Sequence, residues 1–121
     1  MGNKKDFGNW GESIAECFLI NQGINIIGKN IFTPYGELDL IGLKDDIYVI
    51  FEVKTRSNNE FGNPENAIST LKRKHIIESA LHYLQANDLL DATWRVDVIA
   101  IQKTDRKNVK IKWFQDAIRA E

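Results

Sequence analysis

The sequence predicts an α/β fold in which a central mixed sheet is flanked by helices, and three observations lead there. Residues 8 to 22 and 65 to 87 repeat apolar side chains at three- and four-residue spacing; residues 36 to 54, GELDLIGLKDDIYVIFEVK, alternate as a hairpin does; and two further β-rich runs, TWRVDVIAIQ and VKIKWF, follow the second helical stretch. Helices and strands interleaved in this way pack as a sheet covered by helices.

Taken in order, Trp10, Ile14, Ala15 and Phe18 line one side of the first helix, and Gly23 stops it. INIIGKNIF reads as a strand closed by the turn TPYG. In the hairpin, Asp45-Asp46 is the turn-like pair, so opposed residues sum to 91: Ile41 faces Ile50, Asp39 faces Glu52 and Glu37 faces Lys54. Residues 47 to 55 are apolar on both faces for most of their length, which marks a central strand. The polar loop TRSNNEFGNPEN leads into the second helix, whose buried stripe is Ile77, Ala80, Leu81 and Leu84. Two strands separated by KTDRKN and a short helical tail complete the order αβββαββα.

A chain of 121 residues supports one hydrophobic core and is too short for two ordinary ones, so a single domain over residues 1–121 is expected. With 43% hydrophobic and 27% charged residues it falls among globular chains rather than disordered ones. No apolar run approaches the ~20 residues of a membrane span, and MGNKKDFGNW lacks the apolar stretch of a signal peptide; a cytoplasmic protein with no membrane partner is expected. Cys17 is the one cysteine and lies among apolar neighbours, which predicts a buried structural thiol. Net charge is −1, divided as −3 over residues 1 to 60 and +2 over the remainder, too weak an asymmetry to advertise a polyanionic partner.

The hairpin carries the chemistry. Carboxylates are scarce in strand interiors, yet Glu37, Asp39 and Glu52 stand there with Lys54. The expected register puts Asp39 and Glu52 about 5 Å apart at Cβ. Like charges so placed repel, and a divalent cation would compensate them. Oxygen donors without His or Cys suit Mg²⁺ or Mn²⁺ better than zinc. A lysine on the same face adds a group able to stabilise phosphate charge or orient water, so these are parts suited to metal-assisted phosphodiester hydrolysis. The other reading of the same residues is an ion-pair network at a sheet end, worth about 0–1 kcal/mol.

An acid followed across a hairpin by Glu-x-Lys resembles the PD-(D/E)XK nuclease superfamily, which includes restriction enzymes and archaeal Holliday junction resolvases. More closely, GESIAECFLINQGINIIGKN, GELDLI, FEVKTR, FGNPENAISTLKRKHIIESALHYL and WRVDVIAI together resemble the YraN-like family of predicted endonucleases, over about residues 8 to 102. The resemblance implies a restriction-endonuclease-like αβββαβ core and an Mg-dependent endonuclease acting on DNA, with branched or structured DNA as the narrower class suggested by the resolvases. It implies that Asp39, Glu52 and Glu12 hold the metal and that Lys54 is the superfamily's catalytic lysine; Glu37, for which pairing with Lys54 alone would account, is read as standing behind the ligands. The chain departs from the pattern in having Leu38 where the superfamily name has proline, and Ile31-Phe32 where relatives often carry a basic residue. Resolvases act as dimers on two-fold junctions, so a homodimer is an assembly the resemblance allows.

Nucleic-acid contacts are expected from Arg56, Lys72, Lys107 and Lys110. Lys72 lies one turn before Ile76 and either reaches the pocket or solvates a helix face. Lys103, Arg106, Lys107, Lys110 and Lys112 suit a phosphate backbone and equally suit the blunting of an edge strand. Arg95 and Asp97 read as a structural pair, and His75 and His82 as ordinary helix residues. The rival to an endonuclease is a non-catalytic nucleic-acid-binding or protein-adaptor module on the same fold.

Overall fold

In a computed structural model, which describes residues 4–57, 68–105 and 108–120, the chain runs through α1 (Lys4–Asn21), β1 (Asn25–Thr33), β2 (Gly36–Lys44), β3 (Ile47–Ser57), α2 (Thr70–Ala86), β4 (Thr93–Lys103) and β5 (Val109–Ile118). The strands form one sheet in the order β1-β2-β3-β4-β5. All neighbours are antiparallel except β3 and β4, which run parallel because α2 carries the chain from one to the other. The first six elements form the expected restriction-endonuclease-like αβββαβ arrangement, with β3 central.

Asp45 and Asp46 set the hairpin register. Both lie in the left-handed region, at φ 52° and 64°, as a two-residue primed turn requires. Ile41 then pairs with Ile50 and Leu40 with Phe51, in the register that sums to 91.

Each sheet face carries its own core. On one face Ala15 and Leu19 of α1 are fully buried with Leu40, Val49, Phe51, Val53, Ile99 and Ile101. On the other, Ile76 and Ala80 of α2 pack with Leu38, Ile41, Ile50, Val96, Val98 and Ile118. Helix α1 ends where Gly23 takes φ 88° and the Ile24 and Gly23 N–H groups close back on the carbonyls of Leu19 and Ile20, the pairing of a glycine-terminated helix.

Several expectations are corrected. Helix α1 begins at Lys4 rather than residue 8. Helix α2 begins at Thr70 because Ser69 caps it, its side chain accepting from the Lys72 N–H; residues 65–67 of the expected helix lie outside the described residues. Leu81 is 40% exposed, and Ser79 takes a buried place that was expected for it. Cys17 is exposed, since at about 100° per residue it points away from the side that carries Ala15 and Leu19.

The expected helical tail is strand. Between the rungs Val96–Ile118 and Val98–Phe114, β5 takes four residue steps against two on β4. This bulge is braced by Asp97, which is fully buried and accepts from the Asp116 N–H at 2.8 Å, Trp113 Nε1 at 2.8 Å and Arg95 Nε at 3.0 Å. Asp116 adopts φ 52° there, and Ile118 is returned to the core beside Val96. Arg95 and Asp97 are thus the structural pair expected, within a wider network.

Candidate metal centre

The centre forms where β2 leaves β3. Strict alternation would put Leu38 and Leu40 on one face, but Leu40 packs on the α1 side and Leu38 on the α2 side. The backbone therefore turns over between them, at Asp39. The same happens on β1: Lys29, which reaches Glu16 of α1, and Ile31, which packs on the α2 side, stand only two residues apart, with Asn30 at φ 48° between. Lys29 pairs with Leu40 and Ile31 with Leu38, so Asn30 and Asp39 stand opposite each other at this shared break.

The break frees Asp39 for another partner. The rungs joining β2 to β3 end at Leu40–Phe51, and beyond them the Val53 N–H donates to Asp39 Oδ2 at 2.8 Å. The carboxylate thus takes the place of a backbone acceptor at the point where the strands splay. Val53 is held on its other side by β4, opposite Ile99.

Turning over also redirects Glu37. It was expected opposite Lys54, but with Leu38 committed to the α2 side Glu37 turns toward α1. There its carboxylate joins those of Glu12 and Asp39, and the three ligand oxygens lie within 4.8 Å of one another. Asn30 Nδ2 donates to Glu12 Oε1 at 2.8 Å and to Glu37 Oε1 at 3.2 Å, fastening two acids with one amide. Gly11 brings Glu12 close: a Cβ at that position would fall inside contact distance of Thr55 Oγ1 and 2.9 Å from its Cγ2. The helix can approach β3 this closely only without a side chain there.

Glu52 approaches from the α2 side and shares a hydrogen bond with Asp39. Its Oε2 lies 3.7 Å from Lys72 Nζ, so Lys72 does reach the pocket, from the first turn of α2. Burial is the main force on both carboxyls. It pushes Asp39 up to about 8, helped by the charges of Glu52 and Glu12 and opposed by the Val53 N–H. It also raises Glu52, against the pull of Lys72 and Lys54. Two carboxyls sharing a hydrogen bond hold a proton between them, and a divalent cation would replace that proton as the compensating charge.

Asp39, Glu52, Lys54, Lys72 and Glu12 are therefore gathered at one end of the sheet, with Glu37 beside Glu12. Lys54 is half-buried, and Arg56 follows two residues on. Lys54, Ala100 and Lys112 form one cross-sheet row, and Arg56, Gln102 and Lys110 the next. Positive side chains thus run across the sheet in adjacent rows, on the face that also carries Ile50 and Val98. Arg106 and Lys107 lie outside the described residues. His82 stands edge-on to Tyr35, with ring centroids 6.3 Å apart.

Asn30 is the functional candidate that sequence reasoning missed. Its signal was an asparagine inside a run otherwise reading as strand, where that residue is depleted and where a left-handed backbone favours it.

All donors in the set are carboxylate oxygens, a set able to hold a hard divalent cation rather than a metal preferring nitrogen or sulfur. Among the described residues no helix is long and apolar enough to cross a membrane.

Comparison with known proteins places these residues in a family. The model of "Uncharacterised protein family UPF0102" matches residues 11–101, a span that contains Glu12, Asn30, Glu37, Asp39, Glu52, Lys54 and Lys72 and stops before β5. A UPF0102 protein of Clostridium perfringens is 36% identical over 116 residues, covering 95% of each chain. One from Flavobacterium psychrophilum is 38% identical over 117 residues and covers 97% of each. Another, from Shewanella oneidensis, is 38% identical over 110 residues, which is 91% of this chain and 96% of the relative.

Proposed function

This chain belongs to the UPF0102 family, the one its motifs resembled, and we propose that it is a divalent-metal-dependent nuclease of the PD-(D/E)XK type that hydrolyses phosphodiester bonds of DNA. The observation that carries the reading is the convergence of Glu12, Glu37 and Asp39 with Glu52 at the splayed end of β2 and β3, with two lysines beside them. An acid cluster of this kind costs stability unless a cation offsets it. Glu12, Glu37 and Asp39 would hold the ion, with Glu52, hydrogen-bonded to Asp39, as a further oxygen donor. When bound, Mg²⁺ or Mn²⁺ supplies a Lewis acid for a phosphate oxygen and a more acidic water.

The chain's own groups do the remaining work. Lys54 offers charge to the phosphate as negative charge accumulates in the transition state. Lys72 favours the ionised form of Glu52 and so readies it for a cation. Asn30 restrains Glu12 and Glu37, which limits the reorganisation needed when the site fills. The rows Lys54–Lys112 and Arg56–Lys110 give the sugar-phosphate backbone a track leading to the acids.

A cleavage screen over single-stranded, duplex, flap and four-way DNA tests this reading. The protein is expected to cut at least one of these in Mg²⁺ or Mn²⁺ and none in chelator, with Asp39→Asn inactive throughout. Binding without cleavage on every substrate would leave a nucleic-acid-binding module in place of an enzyme.

A further inference from the structure

Phe32 is 79% exposed, the most exposed of the large apolar side chains described. Such exposure of a phenyl ring on an edge strand is unfavourable for the isolated protein, and its location is specific. Phe32 pairs directly with Glu37 across β1 and β2. Directly opposed residues share a face, with Cβ atoms about 5 Å apart. The turnover at Asn30 and Asp39 that sends Glu37 toward the acid cluster therefore sends Phe32 to the same side. No described aromatic ring stacks on it.

The segment that presents Phe32 is fastened. Thr33 Oγ1 accepts from the N–H groups of Tyr35 and Gly36, at 3.1 and 3.2 Å, and lies 2.9 Å from Ser79 Oγ, which is buried on α2. Tyr35 is edge-on to His82 of the same helix. The ring is thus held out from an ordered hairpin end, and little conformational freedom is lost when something stacks on it.

We propose that Phe32 is the stacking platform for a nucleobase next to the phosphate held at the acid cluster, and that the site therefore selects nucleic acid with an unstacked base, either single-stranded or distorted. The proposal rests on the nuclease reading for the position of that phosphate. Electrostatics supports it from the other direction. Glu12, Glu37, Asp39 and Glu52 outnumber Lys54 and Lys72, so before a cation binds the immediate site repels phosphate. An aromatic face attracts a base irrespective of that charge, and every base has a π-face to offer. A base paired within a duplex has both faces covered, so this contact is gained only where pairing or stacking is already interrupted.

The test compares wild type, Phe32→Ala and Phe32→Trp in binding a labelled short single strand, by fluorescence anisotropy in Ca²⁺ and in chelator at two salt concentrations. Cleavage in Mg²⁺ and the oligomeric state are followed in parallel. Phe32→Ala is expected to weaken binding by about 5- to 100-fold, the scale of one stacked base, with Phe32→Trp retaining affinity. The ratio should be the same at both salt concentrations because stacking releases no counterions. A strand lacking the stacked base should bind wild type as weakly as the intact strand binds Phe32→Ala. Equal affinity of wild type and Phe32→Ala, including no binding by either, overturns the stacking role. So does a change from dimer to monomer in Phe32→Ala without a change in affinity, which would make the ring a self-association contact. Wild type that binds through Phe32 but cuts nothing would sink the nuclease reading and leave the stacking role standing.

Discussion

Replacing Lys54 by alanine is expected to slow DNA cleavage by at least ~100-fold while leaving substrate affinity nearly unchanged, the signature of a group whose charge matters in the transition state. The expectation follows from where the strand puts it. Lys54 is two residues beyond Glu52 on the same face of β3, half-buried, and close enough to pull the Glu52 carboxyl toward ionisation. Lys72 also faces Glu52 but is more exposed and comes from a helix, so it cannot take over the same position. Single-turnover rates and binding constants for both proteins separate the chemical step from affinity. Equal rates would remove Lys54 from the reaction.

Asp39→Asn is expected to do the reverse to the metal-free protein and make it more stable above neutrality. Burial, with the charges of Glu52 and Glu12, holds the Asp39 carboxyl up to about 8 in the folded state, far above its value in an unfolded chain. The folded protein thus keeps a proton that the unfolded chain releases. Stability from this group is complete below about pH 4 and declines as pH rises toward about 8. Glu52 is shifted in the same direction. Wild type in chelator should therefore melt lower at about pH 8 than at about pH 5, and Asp39→Asn should flatten that dependence. Asparagine can still accept the Val53 N–H and can donate to Glu52, so the substitution removes a titrating charge with little loss of hydrogen bonding. Thermal melts across that range check it, and an unchanged slope in the mutant would remove Asp39 as the source.

Much of this arrangement was legible because it depends on local rules. The Asp45-Asp46 turn and the period-two pattern were enough to set the hairpin register, and with it the approach of Asp39 to Glu52. What escaped was the exception to period two. A left-handed Asn30 opposite Asp39 reverses both strands, and hydropathy carries no trace of it because Leu38 and Leu40 are apolar whichever face they take. Glu37 consequently lies with Glu12 and not opposite Lys54. Glu12 itself could be placed only by family resemblance, since a glutamate beside an apolar stripe is ordinary in a helix. The tail was misread as helix because its strand pairing depends on Asp97, 19 residues from the Asp116 N–H that it accepts. Apolar sequence neighbours suggested burial of Cys17, whereas helix geometry decides it by angle.

The central claim is that the acids at the β2–β3 splay form a site for a divalent cation, and thermal melts of wild type and Asp39→Asn with and without Mg²⁺, at about pH 8 where metal competes best with the bound proton, test it most directly. At matched ionic strength, wild type should gain about 1.4 kcal/mol when Mg²⁺ is tenfold above its dissociation constant, because the ion binds the folded site and not the unfolded chain. Asp39→Asn, already relieved of the repulsion and short of one anionic ligand, should gain much less. If neither Mg²⁺ nor Mn²⁺ stabilises wild type, or if both proteins gain equally, Glu12, Glu37, Asp39 and Glu52 form a structural network with no metal to hold.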